Sequence, residues 1–316
     1  MDFYPTASSH SETLVKAGHD RAIAEHLPAF ARRTIAGWKC ITVLIVLSGV
    51  NVFGQVQRVS GTLVVAVPVR EGLVACADKR AFNHSTLAYS DDLVKIHKVN
   101  SRTLFVATNT VGFLDPRTGK IGFNVFEITS SYLTRHAFAP EKQFWDGLRK
   151  EIRTQLLAYL RNQKLKDQPE TDLANNRLLF NLVFYSISKD TARSYSLKVF
   201  YEKAATPIIY IPDVASEEVK TAKLSGKGKD VMDYLSRNPG LSRDPSILRF
   251  DQTKFDVQKT SAADAVGFAK MLFIVANTGV PEANVSAVHD CALLSYRNGF
   301  QWIDDSANPM INRPGD

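Results

Sequence analysis

Cysteine is scarce: only Cys40, Cys76 and Cys291 occur in 316 residues. A disulfide framework of the kind that holds small secreted domains is therefore not expected, and no two cysteines stand at a metal-ligand spacing. Cys76 and Cys291 each lie in an apolar, strand-like run, where a free cysteine behaves as a small buried hydrophobe rather than a nucleophile. The seven histidines include no HExxH-type pair and none beside a cysteine or carboxylate at ligand spacing. Neither a metal nor another cofactor is expected.

Dense charge of one sign is missing as well. The 39 basic and 32 acidic residues leave a net charge of +7, spread without a run of five. Nucleic-acid binding calls for basic residues clustered among stacking aromatics. The densest stretch, Lys220 to Lys229, has four lysines and no aromatic, and reads as a solvated loop. Nucleic acid is not an expected partner. Internal repeats and low-complexity segments are also absent.

Long apolar runs are lacking too. Ile41 to Phe53 is too short to span a bilayer comfortably. Preceded by Arg32, Arg33 and Lys39, it has the layout of a secretory signal, with small Val52 and Gly54 positioned for cleavage before Gln55. The polar stretch Met1 to Ala31 is long for the lead of such a signal, which a misassigned start codon would explain; a buried helix and an N-terminal membrane anchor are the rival readings. The expected organisation is a leader with a signal peptide over 1–54, a short prosegment over 55–61, one domain over 62–304 and a polar tail over 305–316. The mature protein is then exported, periplasmic or secreted, with no stable membrane span once the leader is removed. Without a real signal it is cytoplasmic.

What is present suffices for a large core, since 45% of the residues are hydrophobic. Leu63 to Val69 and Leu73 to Ala77 are β-branched runs around Arg70, Glu71 and Gly72, the pattern of a tight hairpin. Another strand is predicted at Leu104 to Thr108. Phe144, Leu148, Ile152, Leu156 and Leu160 recur every four residues and predict an amphipathic helix over Pro140 to Asn162. A polar loop, Lys164 to Asn176, precedes strands at Leu178 to Ile187 and Tyr195 to Tyr201. Ser261 and Asp264 make a capping-box start for a helix that ends at Gly279 and Pro281. Cys291 to Ser295 and Phe300 to Ile303 form a last hairpin. Hairpins first and last with helices between them predict an α+β fold of antiparallel sheets covered by helices.

One constellation carries chemistry. A threonine hydroxyl is a poor nucleophile until a base accepts its proton, and a free α-amine on the same residue is such a base, with a pKa of about 7.7 to 8.0. Cleavage between Gly61 and Thr62 would create it. A nearby lysine would favour the deprotonated hydroxyl and keep the amine neutral, while a carboxylate would hold the lysine charged. Lys95 and Asp78 fit those roles. Gly61 suits the strained turn in which Thr62 attacks the preceding carbonyl. Arg80 reads as a supporting charge partner.

The stretch from GTLVVAVPVREGLVACADKR to DDLVKIHKVNSRTLFVATNTVG resembles the N-terminal half of proteasome β subunits and their bacterial relatives, which are N-terminal-nucleophile hydrolases. Gly61 and Thr62 match the processing site, Asp78 and Arg80 the acid-x-arginine, and Lys95 with Ile96 the following lysine, one residue later than in the family. The resemblance is close from Gly61 to Gly112 and continues beyond only as element order. It implies a four-layer αββα sandwich of two antiparallel sheets covered by helices, a peptide or other amide substrate cleaved through an acyl-enzyme, and a homo-oligomeric ring. It puts Asn109 where the family has an oxyanion-binding glycine, and Ser225 with Gly226 at the family's Ser-Gly turn near the nucleophile, followed by a helix carrying Val231 and Leu235. For the family's late Asp-x-x-Ser pair, Glu282 and Ser286 are the nearest residues, four apart instead of three. Small Ala107 and Val111 flank Asn109 and would suit an apolar pocket. A small-molecule amidase or acylase on the same fold, and a non-catalytic scaffold that leaves Thr62 uncleaved, are the alternatives.

Overall fold

Runs of apolar residues without alternation imply strands covered on both faces, and β-strands of that kind form the centre of this molecule. The computed structural model describes residues 57–60, 62–83, 88–91, 93–114, 121–162, 178–202, 208–250, 255–280 and 284–303. The apolar run 41–53, the loop 164–176, the tail 305–316, Gly61, Pro281 and Glu282 lie outside them. Along the chain come β1 (Gln57–Ser60), β2 (Leu63–Val69), β3 (Gly72–Asp78), β4 (Ala81–Asn83), β5 (Ala88–Ser90), β6 (Ile96–Asn100), β7 (Thr103–Asn109), β8 (Gly112–Leu114) and β9 (Ile121–Asn124). Helices α1 (Val125–Arg135) and α2 (Lys142–Asn162) follow, then β10 (Leu178–Ser188), β11 (Thr191–Glu202), β12 (Ile208–Tyr210), β13 (Ala215–Glu218) and β14 (Lys223–Gly226). After α3 (Gly228–Arg237), the one-turn helices α4 (Pro239–Ser242) and α5 (Pro245–Leu248), and α6 (Ala262–Gly279), the chain ends its described course in β15 (His289–Ser295) and β16 (Gly299–Ile303).

The strands form three antiparallel sheets, in the orders β14-β2-β3-β15-β16, β12-β11-β10-β7-β6 with β13 also on β11, and β5-β4-β1-β8-β9. Every residue of β2 and β3 is buried. Their side chains divide by parity. Val64, Ala66, Leu73 and Ala75 share a cluster with Leu104, Val106, Val183 and Tyr185 of the second sheet. Val65, Val67, Val74 and Cys76 pack with Val231 and Leu235 of α3 and with Ala265, Ala269, Leu272 and Phe273 of α6. Phe105, Leu182 and Phe184, on the other parity of β7 and β10, pack with Phe126 and Tyr132 of α1 and with Phe144, Leu148, Ile152 and Leu156 of α2. The molecule is thus a mixed α/β protein of antiparallel sheets with helices packed on them. Pro68 is tolerated in β2 because β14 covers that strand only from Leu63 to Ala66, so the missing N–H falls beyond the ladder.

The hairpin Leu63–Val69 with Gly72–Asp78 forms as expected, each strand within a residue of its predicted ends. So does the capping box, where the Ser261 hydroxyl accepts from the Asp264 N–H and the Asp264 carboxylate accepts from the Ser261 N–H. Two expectations are corrected. Cys76 and Cys291 are not free cysteines: they are bonded to each other, with Cα atoms 4.1 Å apart. Both sit directly opposite one another in the β3–β15 register, the close pairing that an antiparallel ladder offers at alternate positions. Lys220 to Lys229 is not a loop either. It holds β14 and the start of α3, and Lys220, Lys223 and Lys227 pair with Glu218, Glu217 and Asp230.

Among the described residues, no helix is long and apolar enough to cross a membrane, and no three His, Cys, Asp or Glu residues group to hold a metal ion.

Candidate active site

Thr62 precedes β2 and is 1% exposed. Its surroundings are built by strand pairing. β14 runs antiparallel to β2 with Gly226 opposite Leu63 and Ser225 opposite Val64, which brings the predicted Ser-Gly turn to the threonine. The Lys227 N–H donates to the Thr62 carbonyl at 3.0 Å. A Cβ on Gly226 would lie 2.1 Å from that carbonyl oxygen and 3.3 Å from Thr108 Cβ, and Gly226 has φ +69°, so glycine is required there twice over. Thr108 is the next-to-last residue of β7, on the same side, and Asn109 closes the strand with a φ of 70°, in the left-handed region that Asn adopts more readily than most residues. Thr62, Gly226 and Thr108 therefore meet at one end of the two large sheets.

Asp78 closes β3 and joins this end from below. Its Oδ1 accepts from the Leu63 N–H at 2.7 Å, so the carboxylate is held by the residue after Thr62. Its Oδ2 accepts from the Lys95 ammonium at 3.0 Å and from the Arg80 N–H at 3.1 Å. The ammonium also donates to the Arg80 carbonyl at 2.6 Å. Both side chains of the pair are 0% exposed. Two charges removed from water cost several kcal/mol each unless their geometry and remaining hydrogen bonds offset it, and here each has partners beyond the other. Burial pushes the Asp78 carboxyl up, against the pull of Lys95 and of the Leu63 and Ser286 N–H groups. Burial pushes the Lys95 ammonium down, against the nearby negative charge of Asp78 and, more weakly, Asp91.

The Arg80 guanidinium grips Asp91 with two hydrogen bonds, 3.0 and 3.2 Å, and also reaches Asn277 Oδ1 and the Val285 carbonyl. Ser286 falls at the same place: its backbone bonds Asp78 and its hydroxyl bonds Asp91 while accepting from the Val288 N–H at 3.0 Å. Ser225 hydrogen-bonds Tyr185, a fully buried phenol whose pKa burial drives up. Ala107 and Val111 are both buried in the cluster under α1 and α2.

The fold thus brings Thr62, Asp78, Lys95, Arg80, Ser225 and Gly226 to one end of the sheets, with Asn109 beside Thr108. Gly61 and Glu282 lie outside the described residues. Sequence reading missed Asp91 and Tyr185. Asp91 stands four residues before Lys95 in the same stretch, so proximity along the chain was the available signal; Tyr185 offered none.

No family model and no curated protein matches this chain. Among solved structures, one similar chain is the Gly-1 mutant of Anbu from Hyphomicrobium sp. strain MC1, at 14% identity, covering 77% of this chain and 85% of that one with a TM-score of 0.38. The likeness is distant and at this level carries no assignment.

Proposed function

We propose that this chain is a threonine-type N-terminal-nucleophile hydrolase, a four-layer αββα sandwich of the proteasome β-like kind, which cuts its own Gly61–Thr62 bond and then cleaves peptide amide bonds. The observation that carries this reading is the fully buried Asp78–Lys95 pair tied to the N–H of Leu63, directly after Thr62. A buried ion pair is an uneconomical way to stabilise a sheet, because well-packed apolar side chains do so as well or better. Beside a threonine it supplies an oriented positive charge.

In self-cleavage, Thr62 Oγ attacks the Gly61 carbonyl, the C–N bond breaks as the ester forms, and water hydrolyses that ester to leave a Gly61 carboxylate and a free Thr62 amine. In turnover, the amine accepts the Oγ proton, Oγ attacks the substrate carbonyl, and the proton passes to the leaving amine; water then releases the acyl group. Backbone N–H groups near Asn109, with the Ser225–Gly226 turn, stabilise the oxyanion. Lys95 keeps the amine neutral and the hydroxyl acidic by its charge, and Asp78 holds Lys95.

A peptide substrate is favoured over a small amide by the segment before Thr62. β1 lies between β4 and β8, antiparallel to both, with Ser60 opposite Phe82 and Val59 opposite Gly112. The chain entering the site is thus held by main-chain pairing as an extended strand, which suits any peptide. The Cys76–Cys291 bridge supports export, because disulfides persist in oxidising compartments. A homo-oligomeric ring belongs to the same reading. One observation favours a non-catalytic scaffold instead: Thr62 is buried, and β1, just before it in the chain, is paired on both edges.

The deciding measurement is the N-terminal sequence and intact mass of the mature protein, expressed with its own leader beside a Thr62→Ala control. A chain starting at Thr62 in the first and not in the second supports self-processing. One starting near Gln55 in both moves the assignment to the scaffold.

A further inference from the structure

Three separate segments converge on the Asp78–Lys95 pair: Asp78 to Arg80 at the end of β3, Asp91 to Lys95 before β6, and Val285 to Val288 before β15. Arg80 is the hub. Its main chain brackets the pair, the N–H donating to Asp78 at 3.1 Å and the carbonyl accepting from Lys95 at 2.6 Å. Anything that fixes the Arg80 side chain therefore fixes the main-chain atoms that hold both charges. The side chain is fixed chiefly by Asp91, through a bidentate pair at 3.0 and 3.2 Å. Ser286 links the remaining segment, with its backbone on Asp78 and its hydroxyl on Asp91. The segments are further joined by Leu93 N–H to Lys79 carbonyl, 3.2 Å, and Lys79 N–H to Val288 carbonyl, 3.0 Å.

Resting on the hydrolase reading above, we infer that Asp91 is a positioning residue for the Thr62 centre: its carboxylate, clamped on Arg80 and Ser286, sets where the Lys95 ammonium sits and helps keep it charged. Asp91 does not touch Thr62. It acts through Arg80, and its negative charge adds to that of Asp78 in favouring the ammonium, while the Arg80 charge opposes it. The Arg80 pair in turn holds the Asp91 carboxyl below its ordinary range, so Asp91 is ionised at every pH where the site would operate.

The test is the rate of self-processing against pH in the full chain, for the wild type, Asp91→Asn, Asp91→Glu and Arg80→Ala. Asp91→Asn is expected to slow processing roughly ten- to a hundredfold, as small misplacements in such sites do. It should also move the alkaline limb to lower pH, by less than about one unit because Asp91 is partly exposed and its charge is screened. Removing the carboxylate takes away one stabilising charge from Lys95 and leaves the Arg80 charge uncompensated, and both lower the Lys95 pKa. Asp91→Glu should recover part of the rate, and in an Arg80→Ala background Asp91→Asn should slow processing no further, leaving only a shift of the alkaline limb to lower pH from the lost carboxylate charge. A residue that only stabilised the fold would scale the rate equally at all pH, so an unmoved limb or an unchanged rate overturns the inference. If the wild type never processes, the hydrolase reading fails by itself, and the clamp is judged from Tm. Asp91→Asn and Arg80→Ala should then each lower Tm, with the double variant no lower than the worse single; additive losses overturn it.

Discussion

Strand β3 passes through two different interiors within three residues. At Cys76 it belongs to an apolar cluster with Ala269, Leu272 and Phe273 of α6, and a covalent tie runs to Cys291. At Asp78 it enters a buried cluster of charge, where Lys95 and the backbone N–H groups of Arg80 and Ser286 all bear on one carboxylate. The apolar region asks only for volume, so other hydrophobes of similar size serve nearly as well. The charged region asks for particular partners, because a single buried charge left alone is worse than either a complete pair or none. On the hydrolase reading proposed above, that charge beside Thr62 serves chemistry rather than stability.

The largest expected effect would come from the apolar side. Cys76→Ala with Cys291→Ala removes a cross-link that closes a separation of 215 residues, and the chain-entropy model gives a loss of about 5 kcal/mol, read in urea unfolding. Processing per folded molecule should not change; if it fell, the two regions would be coupled and the contrast between them broken. Next, Lys95→Met strands the Asp78 charge and should cost about 3–5 kcal/mol, whereas Asp78→Asn combined with Lys95→Met should recover most of that stability. Neither variant should process, so stability and processing part company at this end alone. Equal losses in single and double variants would show that the pair does not behave as a unit.

The smallest effect sharpens the contrast with a charge at the surface. Ser261→Ala removes the α6 cap and should cost about 1 kcal/mol at neutral pH. Hydrogen bonds from the Ser261 side chain and backbone hold the Asp264 carboxyl below its ordinary 3.8. A depressed folded pKa means that this stability is complete above about pH 4 to 5, and is lost as pH falls through the lowered folded value. The gap between wild type and Ser261→Ala should therefore narrow in acid, as thermal melts from pH 6 to pH 2 would show.

Features written in consecutive residues were legible. The β2–β3 hairpin, the four-residue spacing of the α2 face and the Ser261–Asp264 box each depend on neighbours a few positions away, and each formed within a residue or two of expectation. Sheet β5-β4-β1-β8-β9 was not legible, since its strands run three or four residues and offer too short a pattern to show a period. Helix α1 was hidden because its sequence, VFEITSSYLTR, mixes β-branched residues that favour strands with a face that becomes apolar only once packed. The bridge between Cys76 and Cys291 was missed because it depends on the register of β15 against β3, more than 200 positions apart.

By itself, then, the sequence determined the local elements, the apolar core strands, and the resemblance that singles out Thr62, Asp78 and Lys95. Only the tertiary structure decided that Cys76 faces Cys291, that Gly226 presses on the Thr62 carbonyl, and that Asp91 and Ser286 close around Arg80 and Asp78. Local preferences act within a turn of chain, where a few residues suffice to express them. Register and buried pairing are settled by the sum of many weak contacts spread over the whole chain, and no short stretch of residues carries that sum.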